Sequence, residues 1–366
     1  MNIVWFSWKD LSHPAAGGAE VITDILLSQL AADGHTVTLL TSTAGNKPRE
    51  ERNGYQIIRE GGRLGVYFAA RKHYLANLKK DANIVIDECN TLPFMTKFYA
   101  GKEVKNYMFF HMLCRIIWFY ELPKYLGWIG WLAEPIYLRM LSDQKAIVVS
   151  NSTSKDIQRY GFKADKISII SEAIELEPVK NLEEIKKFNN PTVLGLGTMR
   201  SMKQALDQVK AFEIAKVDIP DLKLILAGDD SGKYGAMVKD YASKSKYSND
   251  IKLLGRVAKS KKIELMQRSH ALLVTSVKEG WGLVVTEANS QGTPAVVYDA
   301  DGLRDSVKHR KTGYVTFTNP ESLAGGIKSL ILNDFEYTNI RQRGYNWSKR
   351  ITNKQAYTDF KKVFNV

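Results

Sequence analysis

Short apolar runs recur along the whole chain with stretches of helical character between them. This rhythm constrains the fold more than any single motif. The first half carries IVWFSW (3–8), VTLLTS (37–42), ANIVIDE (82–88), YMFFHM (107–112), AIVVSNS (146–152) and KISII (166–170). The second half restarts with TVLGLGT (192–198), LKLILAGD (222–229), IKLLGRV (251–257), ALLVTS (271–276), PAVVYD (294–299) and GYVTF (313–317). Runs this apolar and rich in β-branched residues suit parallel strands covered on both faces, so the pattern predicts two doubly wound α/β units. A chain of 366 residues exceeds one typical core, which agrees.

The polar stretch 172–191 lacks the apolar rhythm and marks the joint. The expected division is an N-terminal domain over 1–172, a second over 173–348 and a closing segment, 349–366, packing back on the first domain. From 351 onward that segment reads as one amphipathic helix. Ligands of such sheets bind outside the carboxyl ends of the strands, so the natural site is a cleft between the two units.

Composition narrows the function classes. Cys89 and Cys114 are the two cysteines, too few for a disulfide framework or a cysteine metal cluster, and they suit a reducing cytoplasm. The opening MNIVWFSW has no basic leader and reads as a first strand. The net charge of +13, from 52 basic and 39 acidic residues, favours anionic partners. Between Gly61 and Lys80 lie Arg63, Arg71, Lys72, Lys79 and Lys80 with Tyr67, Phe68 and Tyr74 interleaved and no acid. That segment is either a solvated helix face or a surface for membrane or acceptor. Nucleic acid is excluded as a partner because no recognition motif accompanies the charge. The greasy segment from Met112 to Leu141 is too interrupted to span a bilayer and is expected as a buried helix pair, a membrane-dipping pair being the other reading.

Three constellations can carry chemistry. Gly17 and Gly18 precede a helix whose first N–H groups are unpaired, which suits a phosphate; a tight turn needing positive φ is the other reading. Neither this pair nor GLGTMR (195–200) is the spaced G-x-G-x-x-G of nicotinamide dehydrogenases. Arg200 and Lys203, three apart at a loop-to-helix transition, can converge on one anion such as a departing diphosphate, or can face solvent. Glu279 and Glu287 bracket a Gly-Trp-Gly bend in SVKEGWGLVVTE (276–287). Ser276 and Glu279 have the spacing of a capping box, but the glycines after them are poor helix formers. Two carboxylates beside phosphate-binding N–H groups should instead hold neutral hydroxyls, a ribose diol and a sugar. That combination describes a sugar nucleotide. His111 ends an apolar strand and is either a buried structural histidine or a group that orients the sugar or acceptor hydroxyl.

With GGAE (17–20), MRSMKQALDQVKAF (199–212) and EGWGLVVTEANSQGTPAVVYDADGLRDSV (279–307), the chain resembles the retaining glycosyltransferases of family 4, similar to glycogen synthase and bacterial mannosyltransferases. The resemblance spans nearly the whole chain. It implies the GT-B fold, two Rossmann-like domains facing a cleft, with the donor nucleotide held by the second. It also implies that Gly17 and Gly18 line the donor phosphates and that Lys203 binds the diphosphate. Thr198 stands where the family has arginine, and Arg200, two residues on, supplies the charge. By the same resemblance Glu279 contacts the donor sugar, Glu287 the ribose, and Arg256 and Val257 the nucleobase. Trp281, Gly282 and Leu283 offer backbone groups to sugar and phosphate. Glu172-Ala173 replaces the usual Asn-Gly pair of the linker.

The implied reaction is transfer of a hexosyl unit from a nucleotide-diphosphate sugar to a hydroxyl of a glycan or lipid-linked acceptor, with retention. It needs no metal and no cofactor, since the sugar nucleotide is a substrate. The expected location is cytoplasmic or peripheral on the inner face of the plasma membrane. Alternatives are a sugar-nucleotide epimerase and a catalytically silent sugar-nucleotide-binding protein.

Overall fold

The computed structural model describes residues 1–364. The chain divides into two compact units. The first comprises residues 1–115, 128–175 and the stretch from Thr352, and the second comprises 116–127 and 176–351. The short segment 116–127, which the sequence reading kept within 1–172, groups with the second unit.

The first unit holds β1 (Asn2–Phe6), β2 (Thr36–Thr41), β3 (Arg49–Arg52), β4 (Tyr55–Arg59), β5 (Ile84–Cys89), β6 (Lys105–Phe110), β7 (Lys145–Val148) and β8 (Ile167–Ile169). They form one sheet in the order β3-β4-β2-β1-β5-β6-β7-β8. All pairings are parallel except β3 with β4. That hairpin was absent from the sequence reading, because its edge strand REER is short and polar and the inner strand YQIIR is too short to stand out. Its signal was present in Asn53-Gly54, which turn the chain with φ of 49° and 85°.

Alternate residues of these strands serve two apolar layers, as the period of two requires. On one face Trp5, Ile86, Phe109 and Ile147 pack with the helices Gly18–Ala32 and Asn353–Phe364. Trp5 stacks on Phe360 at 5.7 Å and meets the edge of Phe109 at 5.6 Å. Tyr357 Oη donates to Asp33 at 2.8 Å, fixing the register of the last helix. On the other face Val4, Phe6 and Val85 pack with helix Val66–His73 and its π-helical continuation Tyr74–Leu78. Next along that face, Met108, Phe110 and Val148 pack with Tyr137, Leu138 and Leu141 of helix Lys124–Leu141.

This last helix corrects the expectation of a fully buried pair. It buries Glu134, Tyr137, Leu138 and Leu141 but leaves Ile129, Leu132, Ile136 and Met140 exposed. Apolar residues ring the helix, and one sheet can cover only one side of it.

In the second unit β9 (Thr192–Leu196), β10 (Lys223–Ala227), β11 (Ile251–Leu253), β12 (Ala271–Val274), β13 (Ala295–Tyr298) and β14 (Gly313–Thr316) form an all-parallel sheet. The order is β11-β10-β9-β12-β13-β14. The chain runs outward from β9 through β10 to β11, then returns to β12 on the other side of β9. The loops leaving β9 and β12 therefore depart in opposite directions and leave a crevice at their carboxyl ends, where open α/β sheets bind ligands. Lys187, half-buried in the polar joint with its amine turned inward, ties that strand-free segment down through bonds of 2.7–2.9 Å to the carbonyls of Gln267, Ser269 and Gly292 and to Thr293 Oγ1. Its burial pushes the amine well below the usual lysine range.

Candidate functional site

From β9 the chain passes through Gly197 to a tight turn, Ser201–Lys203, and enters helix Ala205–Ala215. Gln204 at the junction takes a φ of 51°, uncommon for a residue with a side chain. The neighbouring loop holds this conformation. Thr275, fully buried just after β12, donates to the carbonyl of Lys203 at 2.7 Å and lies 3.0 Å from that of Gln204. Val277 N–H donates to Met202 O at 2.9 Å. Gln208 in turn donates to Thr275 Oγ1 at 3.0 Å. Gly195 makes room for it, because a Cβ there would lie 2.0 Å from Gln208 Oε1.

The stitched loops bring Lys203 and Glu279 together. Lys203 Nζ bonds Glu279 Oε1, and Ser276 Oγ donates to the same oxygen at 2.6 Å. The side chains are 29% and 14% exposed, so the pair is reachable by a ligand yet partly shielded from water. No capping box forms. Ser276 spends its hydroxyl on the carboxylate, Glu279 N–H donates to Asp301 O at 3.0 Å, and helix Leu283–Ser290 starts only after Gly282 with no side-chain cap. Gly282 has a φ of 93°, and Gly302, with a φ of 79°, lies against Glu279 so closely that a Cβ would come within 2.4 Å of its carbonyl oxygen. A small open recess lies here, lined by Gly197, Thr198, Lys203, Ser276, Glu279 and Val284 among others.

The remaining expected residues are placed as follows. Arg200 is half exposed, 3.6 Å from Glu121 in the helix Ile117–Glu121, while Lys203 is held by Glu279. The two cations therefore do not converge on one group. Their backbone turn is shared, but each side chain is drawn to a different carboxylate. Glu287 lies in the helix Leu283–Ser290, both oxygens bonded to Lys262 Nζ at 2.8 and 2.7 Å. Trp281 Nε1 donates to Thr286 at 2.9 Å, which folds the indole over the first turn of that helix. Exposed Arg256 and half-buried Val257 follow β11, whose carboxyl end is joined to β10's by Gly228 N–H donating to Gly255 O at 2.8 Å.

His111 and the glycine pair belong to the first unit. His111, 5% exposed after β6, bonds Glu88 Oε1 through Nε2 at 3.2 Å. Burial alone would lower its pKa, but the bond and charge of Glu88, with Glu172 and Glu20 nearby, raise it above the ordinary histidine value. Glu88 is fixed in turn by Trp5 Nε1 at 2.6 Å and Thr23 Oγ1 at 3.0 Å. Glu172, buried with one oxygen unpartnered, is pushed up to about 7 by burial. Gly17 has a φ of −144°, so the tight turn with positive φ is not formed. Its N–H donates to Glu20 Oε2 at 2.6 Å, and Glu20 also binds Asn90 at 2.8 Å and Lys9 at 3.1 Å.

Lys262, Thr275, Gln208 and Glu88 are absent from the sequence reading. Nothing in KSKKIE (259–264) distinguishes Lys262 from its neighbours, and a threonine or glutamine bond across a loop leaves no periodic trace.

Comparison with known proteins agrees with this fold. The family model described as Glycosyl transferases group 1 matches residues 179–347, and that described as Glycosyltransferase Family 4 matches 16–178. An uncharacterized glycosyltransferase of Methanocaldococcus jannaschii is 24% identical over 359 residues, 90% of this chain and 89% of its own length. The alpha-monoglucosyldiacylglycerol synthase of Streptococcus pneumoniae is 21% identical over 349 residues, 89% of this chain and 77% of its own. The crystal structure of Anabaena HepE in complex with UDP-glucose has a TM-score of 0.72 at 18% identity, covering 100% of this chain and 99% of that one. Two parallel-sheet α/β units define the GT-B fold. The chain belongs to the glycosyltransferases of that fold, enzymes that take a sugar from a nucleotide-sugar donor.

Proposed function

We propose that this protein is a retaining, metal-independent hexosyltransferase that moves a sugar from a nucleotide-diphosphate sugar to a hydroxyl of a glycan or lipid-linked acceptor. One observation carries the reading: Lys203, Glu279 and Ser276 meet at the mouth of the β9–β12 recess, beside a helix start without a side-chain cap. A diphosphate gains negative charge as its bond to the anomeric carbon breaks. An ammonium and the free N–H groups of a helix N-terminus are the groups that stabilise it. In the reaction Lys203 exchanges Glu279 for the diphosphate, and Arg200 adds a second charge only by leaving Glu121. Glu279, released from the ammonium, accepts hydrogen bonds from the sugar hydroxyls.

Glu279 is a positioner, and the acceptor oxygen attacks the sugar on the face the diphosphate leaves. Covalent double displacement by a retaining glycosidase would need two carboxylates about 5–5.5 Å apart at the anomeric carbon. Glu287 is committed to Lys262 instead and suits the ribose diol. Gly17 and Gly18 complete the donor phosphates' surroundings, Arg256 and Val257 the nucleobase's, and His111 orients the sugar or acceptor. The positive charges on the diphosphate come from side chains, so the reaction needs no metal. HepE, solved with UDP-glucose, supports a uridine nucleotide as the first donor to test. The pneumococcal relative, by its name a monoglucosyldiacylglycerol synthase, supports a lipid-linked acceptor. The location that goes with this reading is cytoplasmic or peripheral on the inner membrane face.

The test is a donor panel with lipid and glycan acceptors in the presence of a chelator, the product's anomeric configuration being read by NMR. Transfer with retention supports the proposal. An inverted product, loss of turnover on chelation, or epimerised donor without transfer would each overturn the corresponding part.

A further inference from the structure

The sheet of the first unit carries an outer layer of helices on one face, and that layer is apolar where it meets water. Helix Lys124–Leu141 presents Ile129 at 62%, Leu132 at 57%, Ile136 at 60% and Met140 at 46% exposure. Their spacing of three and four residues places them in one stripe, opposite the buried Tyr137, Leu138 and Leu141. A helix on the surface of a water-soluble unit ordinarily turns charged residues outward. Here Arg139 is the charge beside the stripe, and the helix's own acid, Glu134, is buried and accepts the backbone N–H groups of Cys114 and Arg115.

The layer continues along the same face of the sheet. Helix Val66–His73 packs its inner side on Val4, Phe6 and Val85, which alternate onto the face that also carries Met108 and Phe110 under helix Lys124–Leu141. Its outer side shows Leu64, Phe68 and Leu75 among the exposed Arg63, Arg71, Lys72, Lys79 and Lys80. Exposed Phe98 lies on the turn between the two helices: Lys97 beside it donates to the Met140 carbonyl at 2.6 Å, and Arg71 of helix Val66–His73 lies over the Tyr99 ring at 5.2 Å. Asp143, the acid at this junction, is already neutralised by Lys97 at 2.7 Å.

We propose that this face is the surface by which the protein lies on an anionic lipid bilayer. The apolar stripe enters the headgroup–acyl boundary and the surrounding basic residues meet lipid phosphates. Interleaved aliphatic, aromatic and basic side chains are the chemistry of an interfacial helix. The net charge of +13 argues the same way. No helix among the described residues is long and apolar enough to cross a membrane, so docking is by contact with the surface. The inference rests on the transferase reading in one respect: it places the acceptor in the plane of the bilayer.

The experiment is co-sedimentation of the full chain with vesicles of phosphatidylcholine alone and of phosphatidylcholine with phosphatidylglycerol. The wild type should partition to the anionic vesicles and weaken with salt. Ile129→Asp with Ile136→Asp should lower the partition coefficient by roughly ten- to a hundredfold per position, the worth of one buried aliphatic side chain. Phe335→Asp, an exposed position in the other unit, should leave it unchanged. The double variant should keep its melting temperature and its transfer to a water-soluble acceptor. The proposal is overturned if the wild type does not sediment or the variant binds as well as wild type. It is also overturned if the variant turns a dimer into a monomer on gel filtration, which would give the face to a second copy. Sedimentation uses no substrate, so docking without turnover would sink the transferase reading alone, and turnover without docking would sink this one alone.

Discussion

Replacing Lys203 by alanine separates the catalytic from the structural worth of its bond to Glu279. The ammonium and the carboxylate are 29% and 14% exposed, between a surface pair and a buried one. Exposed pairs contribute about 0–1 kcal/mol, and breaking a buried pair costs about 3–5 kcal/mol. Ser276 stays bonded to Glu279 after the change and the recess admits water, so the loss should be about 1–2 kcal/mol. In a unit this size that lowers the melting temperature by about 3–8 °C. The rate should suffer more. Removing a donor aimed at developing negative charge costs about 10²- to 10³-fold in kcat, or about 2.7–4 kcal/mol. The assay is release of nucleoside diphosphate with acceptor present, alongside a thermal melt, in a double-mutant cycle with Glu279→Gln. The two residues bond each other in the free protein, so their stability losses should be strongly non-additive, the double variant melting no lower than the worse single one. Additive melts would show that the pair is not formed in solution. A kcat loss under about tenfold would remove Lys203 from the leaving group.

Three further outcomes are expected. Gly302→Ala forces a Cβ against the Glu279 carbonyl at a φ of 79°, so activity should fall with a stability loss of about 1–3 kcal/mol, read by kinetics and denaturant titration. Phe360→Ala removes the ring stacked on Trp5 and should cost about 3–5 kcal/mol, measured by urea unfolding; a change below about 1 kcal/mol would mean that the last helix is not docked. In the first unit Glu172 is raised to about 7 from an ordinary 4.5 by burial, and His111 is raised above 6.5 by Glu88 against the effect of burial. Both groups hold their protons more tightly when folded, so stability is fullest below pH 4.5 for Glu172 and below 6.5 for His111, and falls as pH rises through their folded values. The melting temperature should therefore decline between pH 4.5 and about 7 as Glu172 ionises, and Glu172→Gln should flatten that decline; a flat wild-type profile would refute the assignment.

Much of the fold was legible because parallel strands buried on both faces must be written as unbroken apolar runs. Their alternation with helices then leaves few topologies. The closing helix at 353–364 showed itself by the same kind of periodicity. The hairpin at β3 and β4 was missed because an edge strand can be polar, although Asn53-Gly54 stated the turn.

The sequence by itself determined two α/β units and the local chemistry of SVKEGWGLVVTE, because backbone sterics, apolar period and glycine content act over a few residues. It could not decide between a capping box and a ligand carboxylate, since both begin Ser-x-x-Glu. The tertiary structure removed the capping box, by delivering Lys203 from a loop 76 residues away to the Glu279 oxygen that Ser276 also holds. It likewise separated Arg200 from Lys203, and it gave Glu287 to Lys262, 25 residues distant. Most telling is helix Lys124–Leu141. Its composition reads as core, yet only packing determines which side of an all-round apolar helix meets the sheet and which is left for something else to cover.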